Sequence, residues 1–327
     1  MTVTPAFPLR AFTHAAVDFP FRRRMLLQWF YRAGLEFGDH LKFFSAHTTI
    51  GPDTLVTLLL AFASTMLLIL SAKLFISRIL GPDSPFVWFS LLTLYITNYH
   101  QLLVHEMRFM APYDVPSAAL FGLACYAAFS RNRWLYYPVF LIATFNREST
   151  VFLPLVFLIF GLRKDLPLPE ALRRFKPAAY LEVVLQLVAW RAILTFEEHI
   201  TGGVVHQDSL VIRNLHMLAN PFHWSTYVSI FGFLWIPFLI FFNRISDIGL
   251  RRCALLAPLW AAVMVRYADM LEIRTNSEWT VYLTVSLALI ADASWKVKTP
   301  TQGSLTYKPS LKTQGVASTL PPAEMRY

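Results

Sequence analysis

Long apolar runs alternate with short polar clusters along this chain. The apolar residues come in blocks rather than at the three-to-four-residue spacing of an amphipathic helix, which predicts membrane-spanning helices and argues against a soluble core. The predicted fold is all-α, a polytopic integral membrane helix bundle with about nine transmembrane helices. We place the spans at about 54–77, 85–104, 115–130, 134–146, 149–162, 178–195, 226–243, 253–267 and 278–294.

Several predicted spans are shorter than the roughly 20 residues that a bilayer requires. The stretch 134–162 would also fit one long tilted helix, with the polar triplet Asn146-Arg147-Glu148 at mid-depth. We favour two helices, because two prolines and a buried charge pair make a single span costly.

The chain divides into three predicted regions. Residues 1–50 place bases beside aromatic and apolar side chains, which is typical of an interfacial amphipathic segment. Residues 51–295 form the transmembrane domain. Residues 296–327 hold Pro, Thr, Ser, Gln and Lys with little apolar content, and predict a disordered cytoplasmic tail.

Composition supports a membrane protein and gives it an orientation. Only 15% of the residues are charged, against about 25% in soluble domains, and the mean hydropathy is +0.47. Beyond residue 50, seventeen Lys and Arg fall in one set of alternate loops and five in the other, so the first set is predicted to be cytoplasmic. The net charge of +9 is then a topology signal, and nucleic-acid binding is not needed to explain it.

Two further features of the chain bear on the predicted arrangement. Cys125 and Cys253 lie inside apolar runs and predict buried thiols without a disulfide or metal. Nine spans with a cytoplasmic tail would place residues 1–50 outside, although they carry six Lys and Arg. Either a first membrane helix is missing from this reading frame, or the segment lies on the inner surface and one span is misplaced. We favour the missing helix.

The polar clusters are predicted to emerge at the same, non-cytoplasmic side of the membrane. Their carboxylates suit a general base or a metal, and their arginines suit a phosphate. Plainer interpretations are helix caps, by Asp114 before one helix and by Asn146, Ser149 or Thr150 before another, and a salt bridge anchoring a loop. The residues of these clusters that we single out are His105, Glu106, Arg108, Asp114, Arg147, Glu148, Glu272, Arg274 and Glu278.

Four motifs in order suggest a family. Phe19-Pro-Phe-Arg-Arg-Arg24-Met-Leu resembles the first-loop motif "PF-x-x-R-x-L" of certain bacterial polytopic proteins. Tyr113-Asp114-Val-Pro116, Asn146-Arg147-Glu148 and Glu272-Ile-Arg274-x-x-x-Glu278 follow in the same order as in those proteins. Over about residues 18–294 the chain resembles small members of the GT-C class of membrane glycosyltransferases, which take sugars from polyprenyl-phosphate donors on the non-cytoplasmic face.

The resemblance implies roles for particular residues. Carboxylates in the first outer loop would bind or activate the acceptor, which points to Asp18, Glu36 or Asp39, and Arg147 and Arg274 would bind the lipid phosphate. Asp114 is our first candidate for the catalytic carboxylate, followed by Glu106 and Asp39. The residues expected to support the site are Arg24, His105, Arg108, Glu148, Glu272 and Glu278.

The expected function is therefore sugar transfer from a polyprenyl-phosphate donor to an acceptor at the outer face of a bacterial inner membrane, among membrane lipids. No metal ligands are assigned, and a divalent metal stays open. Two alternatives remain. One is a transporter or lipid-handling protein, favoured by Glu182 and Arg191 in one span and His100 in another. The other is a catalytically inactive remnant of the glycosyltransferase fold.

Overall fold

The computed structural model describes residues 52–100, 111–201, 210–268 and 273–298, and also residues 26, 29–30, 32–34 and 36. Within these ranges all regular secondary structure is helical, which confirms the predicted all-α class for the described part of the chain. The remainder of the predicted interfacial segment 1–50, and the predicted tail from residue 299 onward, lie outside the described residues.

From residue 52 onward, the described ranges form thirteen α-helices joined by turns and short 3₁₀ segments, and residues 26, 29–30, 32–34 and 36 are helical as well. The helices are α1 Pro52–Leu80, α2 Leu92–Asn98, α3 Ala111–Phe129, α4 Arg133–Thr144, α5 Leu153–Gly161, α6 Leu168–Arg173, α7 Pro177–Thr201, α8 Val211–Ala219, α9 Trp224–Val228, α10 Trp235–Ile240, α11 Ile248–Cys253, α12 Leu256–Tyr267 and α13 Thr280–Lys298. The 3₁₀ segments are Pro85–Leu91, Glu148–Phe152, Pro221–His223, Ile230–Phe233, Phe242–Arg244 and Ile273–Trp279.

Among the described residues, three helical stretches are long and apolar enough to cross a membrane, namely Leu55–Leu80 in α1, Pro177–Ile200 in α7, and Ile248–Tyr267, which joins α11 to α12. Many of their large apolar side chains point outward. On α1, Leu58 and Phe62 are 52% and 63% exposed, and the exposed stripe continues through Met66 and Leu70 at four-residue spacing. An outward apolar stripe of this length reverses the pattern of a soluble helix and suits contact with lipid hydrocarbon.

Helix α13 lies at the centre of the bundle. From Val281 to Ile290 nearly every side chain is buried, and the helix packs on α1, α3 and the 3₁₀ segment Pro85–Leu91. Gly122 of α3 faces Val281 so closely that a Cβ at this glycine would lie 2.4 Å from Val281 Cγ2. The glycine therefore sets how closely α3 can approach α13.

The region predicted as two helices between 134 and 162 is divided as expected. α4 ends at Thr144 and the next helical segment begins at Glu148. Between them Arg147 is extended, with φ −161° and ψ 140°, and occupies the N-cap position without a side-chain cap hydrogen bond. The predicted cap by Asn146, Ser149 or Thr150 is therefore wrong. Ser149 bonds Glu278 and Thr150 bonds the Arg147 carbonyl, while the Asn146 amide makes no hydrogen bond within the described ranges.

The predicted span 226–243 is not one continuous helix. Phe231, Gly232 and Phe233 adopt φ values of 57°, 60° and 66°, which break the chain between α9 and α10. The break is held by distant side chains: Tyr95 Oη donates to Gly232 O at 3.2 Å, and His100 Nε2 accepts the Phe231 N–H at 3.1 Å. Left-handed backbone at a non-glycine residue is costly, so these contacts fix the geometry.

Candidate functional site

Three separate elements bring Asp114, Arg147 and Glu278 together. Asp114 lies in the first turn of α3, inside the helix rather than at the predicted N-cap position. Arg147 precedes the 3₁₀ segment Glu148–Phe152, and Glu278 belongs to the 3₁₀ segment Ile273–Trp279, which packs on α3. The structure therefore brings together one residue from each of three predicted polar clusters.

Arg147 is the cation shared by both carboxylates. Its Nη1 atom lies 2.9 Å from Glu278 Oε1 and 3.5 Å from Asp114 Oδ1. Both carboxylate side chains are fully buried, and the Arg147 side chain is 9% exposed. Charges at this depth require close partners, because desolvation of an isolated ion costs several kcal/mol.

Glu278 receives hydrogen bonds from three serine hydroxyls as well. Ser149 Oγ donates to Oε1 at 2.8 Å and Ser117 Oγ at 3.4 Å, while Ser277 Oγ donates to Oε2 at 3.4 Å. These neutral donors offset part of the cost of burying the carboxylate. Ser117 was not predicted as a partner, and Ser149 was predicted only as a possible cap.

Arg147 makes both of these contacts through a single guanidinium nitrogen, Nη1. Nη2 and Nε engage no residue in the part of the chain that the structure describes, although an arginine has five N–H donors in total. Nη1 is thus the anchoring atom, and the other two nitrogens keep donors for an anion.

Asn146, the neighbour of Arg147, is buried with an exposed fraction of 1%. Its Oδ1 and Nδ2 atoms make no hydrogen bond within the described ranges. Buried amides almost always have partners. The unpartnered amide therefore adds a free donor and a free acceptor to the segment that carries Arg147.

The other predicted site residues are placed as follows. Glu148 contributes its main-chain carbonyl, which accepts the Trp190 Nε1 hydrogen at 3.0 Å, while its side chain forms no ion pair with described residues. Arg274 lies in the same segment as Glu278, but its side chain is outside the described part. Also outside the described residues are Arg24, Asp39, His105, Glu106, Arg108 and Glu272.

The N-terminal segment approaches this site. The Leu26 N–H donates to Phe145 O at 3.3 Å, and the Trp29 ring lies 5.6 Å from the Phe145 ring. Phe145 stands two residues before Arg147. Trp29 therefore packs next to the turn that carries the arginine.

A cavity of about 20 Å³ lies beside Glu278 and Trp279, lined by aromatic side chains and by Cys125 and Cys253. It holds little more than one water molecule. Both cysteines are free and buried, as predicted. No three His, Cys, Asp or Glu side chains among the described residues gather as metal ligands.

The polar residues that suggested a transporter have local partners. Glu182 pairs with Arg133 Nη2 at 2.8 Å and accepts a hydrogen bond from Tyr137, and Arg191 lies 3.5 Å from Glu198. His100 binds the Phe231 backbone, as described above. Glu182 and His100 therefore link separate elements, whereas Arg191 pairs within α7.

Comparison with known proteins finds no matching family model, no similar curated protein and no similar solved structure. The functional assignment rests on the residues of the chain itself.

Proposed function

We propose that this chain is a multi-pass protein of a bacterial inner membrane, with a GT-C-like bundle of about nine spans, that transfers a sugar from a polyprenyl-phosphate donor at the non-cytoplasmic face. The observation that supports this proposal is the way in which the Arg147 guanidinium is held. Two buried carboxylates hold it through Nη1, while Nη2 and Nε engage no described residue. A guanidinium anchored in this way offers paired donors to a phosphate.

We assign different roles to the two carboxylates. Glu278 accepts from Arg147 and from three serines, so it positions the arginine. Asp114 has the longer contact with Arg147, at 3.5 Å, and is the second carboxylate beside the guanidinium that would bind the phosphate. Asp114 is therefore the first candidate for the base, with Glu106 and Asp39 as further candidates and Arg274 as a second phosphate ligand.

In the proposed reaction the acceptor hydroxyl attacks the anomeric carbon of the sugar. Its proton passes to the Asp114 carboxylate, and the bond from the anomeric carbon to the phosphate oxygen breaks. The electron pair leaves with the polyprenyl phosphate, whose growing negative charge is stabilised by Arg147. In this reaction the donor does not have to enter the cavity beside Glu278.

The polyprenyl chain would lie on the outside of the bundle, because the cavity next to the site is too small to hold it. Helix α7 offers a suitable surface. Its Trp190 contacts the turn that carries Arg147, and Leu181, Leu185 and Val188 on the same helix are 58–59% exposed. A chain on this face would reach the phosphate site without entering the core.

The test is sugar transfer from a polyprenyl-phosphate donor by the full chain in membranes. Arg147→Lys should slow transfer by about ten- to a hundredfold, because an ammonium cannot reproduce the paired donors and one charge-assisted contact contributes about 1.5–3 kcal/mol. Asp114→Asn should slow it at least as much. Glu182→Gln is the matched control, since it removes a carboxylate from a different ion pair, and it should transfer at the parental rate.

Two results would overturn the proposal. If Arg147→Lys and Asp114→Asn are inserted at parental levels and transfer at the parental rate, the three residues form only a structural ion pair. If the parental chain transfers no sugar, the inactive-remnant alternative replaces the enzyme.

A further inference from the structure

A cleft of about 380 Å³ opens at the far end of α5 from Arg147. Arg147 precedes the helix Glu148–Gly161, and the cleft is bounded by the loop that follows that helix. A helix of this length separates the two places by about 20 Å along its axis. Three cations, Lys164, Arg251 and Arg252, line the cleft together with apolar side chains.

Two of these cations are held by the protein itself. Lys164 forms an ion pair with Asp247 and lies 5.1 Å from the centre of the Phe129 ring. Arg252 donates to the carbonyls of Arg163 and Leu166 and so closes the loop after α5. Both side chains therefore build the walls of the cleft.

Arg251 differs from its two neighbours. Its side chain forms no ion pair and no hydrogen bond within the described ranges, and its Nε atom is buried without a partner. A guanidinium with a buried, unpaired donor loses hydration without gaining a partner. The cleft therefore offers Arg251 as a binding group for an anion.

An apolar track leads away from this arginine. Ile248, Arg251 and Leu255 share one helix face, because they are separated by three and four residues, and all three line the cleft. Along the same membrane-length helix, Leu255 and Leu259 are 58% and 47% exposed. A ligand that fits both features has a charged head and an apolar tail.

We propose that the cleft binds an anionic phospholipid, with its phosphate on Arg251 and an acyl chain along Leu255 and Leu259. Arg251 lies in the first turn of the membrane-length helix Ile248–Tyr267, the depth at which lipid headgroups meet a span. Basic pockets between transmembrane helices are common sites for such headgroups. Inorganic phosphate would satisfy Arg251 but would leave the adjoining apolar track without a role.

The test is native mass spectrometry of the full chain titrated with phosphatidylglycerol, with phosphatidylcholine as the zwitterionic comparison. The parental chain should retain phosphatidylglycerol preferentially, and Arg251→Gln should weaken this binding by about ten- to a hundredfold. Arg173→Gln is the matched control, because it removes an exposed cation of the adjacent helix α6 that does not line the cleft. Its affinity should equal that of the parental chain.

Three results would contradict the proposal. Equal affinity in Arg251→Gln and Arg173→Gln would remove Arg251 from the site. Displacement of the lipid by an equal concentration of inorganic phosphate or glycerol phosphate would identify a free anion as the ligand. A lower thermal midpoint of Arg251→Gln in phosphatidylcholine alone would show that this arginine already serves the fold.

Discussion

At the scale of single residues, Arg147 is the side chain whose removal we expect to affect stability most within the buried cluster. It is the cation that two fully buried carboxylates, Asp114 and Glu278, share. A buried ion pair contributes little net stability compared with an apolar replacement, but removal of one partner leaves a charge in the low-dielectric interior. The loss of Arg147 should therefore cost far more than the loss of either carboxylate charge.

The first prediction follows from this asymmetry. Arg147→Met should lower the free energy of unfolding by about 3–5 kcal/mol. Glu278→Gln should cost less, because Arg147 keeps Asp114 and the serine hydroxyls can still donate to the amide oxygen. The double variant Arg147→Met with Glu278→Gln should be more stable than Arg147→Met alone, since it buries one carboxylate fewer. Denaturant unfolding in detergent measures all three.

Lys296→Met is the control for charge loss at an exposed site. Lys296 is 71% exposed in its pair with Asp292, and such pairs contribute about 0–1 kcal/mol. If Arg147→Met is no less stable than Lys296→Met, the buried cluster does not have the energetic role argued above.

At the scale of elements, the contact between α3 and α13 depends on one missing side chain. A Cβ atom at position 122 would lie 2.4 Å from Val281 Cγ2 and 2.9 Å from Val281 Cβ. Val281 is β-branched and 1% exposed, so it has no room to turn away. The two helices must separate if this glycine gains a methyl group.

The second prediction tests this contact with a double-mutant cycle. Gly122→Ala should destabilise the protein by about 1–3 kcal/mol through overpacking. In Gly122→Ala combined with Val281→Ala, the total loss should be smaller than the sum of the single losses by about 1 kcal/mol or more. Thermal or denaturant unfolding in detergent provides the four values. Additive losses would mean that the glycine and the valine do not constrain each other.

The elements also show how far the sequence could predict the fold. Block-like apolar runs located α1, α7 and α13, and two prolines with a polar triplet correctly divided the stretch 134–162. The broken segment 226–243 was not predictable in this way. Its left-handed residues are fixed by Tyr95 and His100, which lie 137 and 131 positions away along the chain, and no local pattern encodes such contacts.

The site was predictable to the same degree. The sequence predicted only that Asp114, Arg147 and Glu278 lie at the same end of their spans. The pattern did not reveal which charges pair, because Glu278 is four positions from Arg274 and yet contacts Arg147 of another segment. Ser117 also escaped notice, since a serine one turn into an apolar helix has no distinctive sequence signal.

At the scale of the whole molecule, the cluster around Arg147 and the basic cleft around Arg251 lie at opposite ends of the helix Glu148–Gly161. The distribution of Lys and Arg predicts that the end with Arg251 is cytoplasmic. The proposed lipid would then belong to the inner leaflet, and the proposed sugar transfer to the outer face. One measurement of orientation bears on both.

The third prediction is that orientation. A membrane-impermeant maleimide applied to intact cells should label Phe222→Cys but not Arg173→Cys. Phe222 is 90% exposed in the turn before α9, and Arg173 is an exposed residue of the basic helix α6, so both positions are accessible once the reagent reaches their side. The parental chain should stay unlabelled, because Cys125 and Cys253 are 7% and 3% exposed in the core. After permeabilisation Arg173→Cys should react as well. The opposite labelling pattern would place Arg147 on the cytoplasmic side, and the donor would then have to be sought in the inner leaflet.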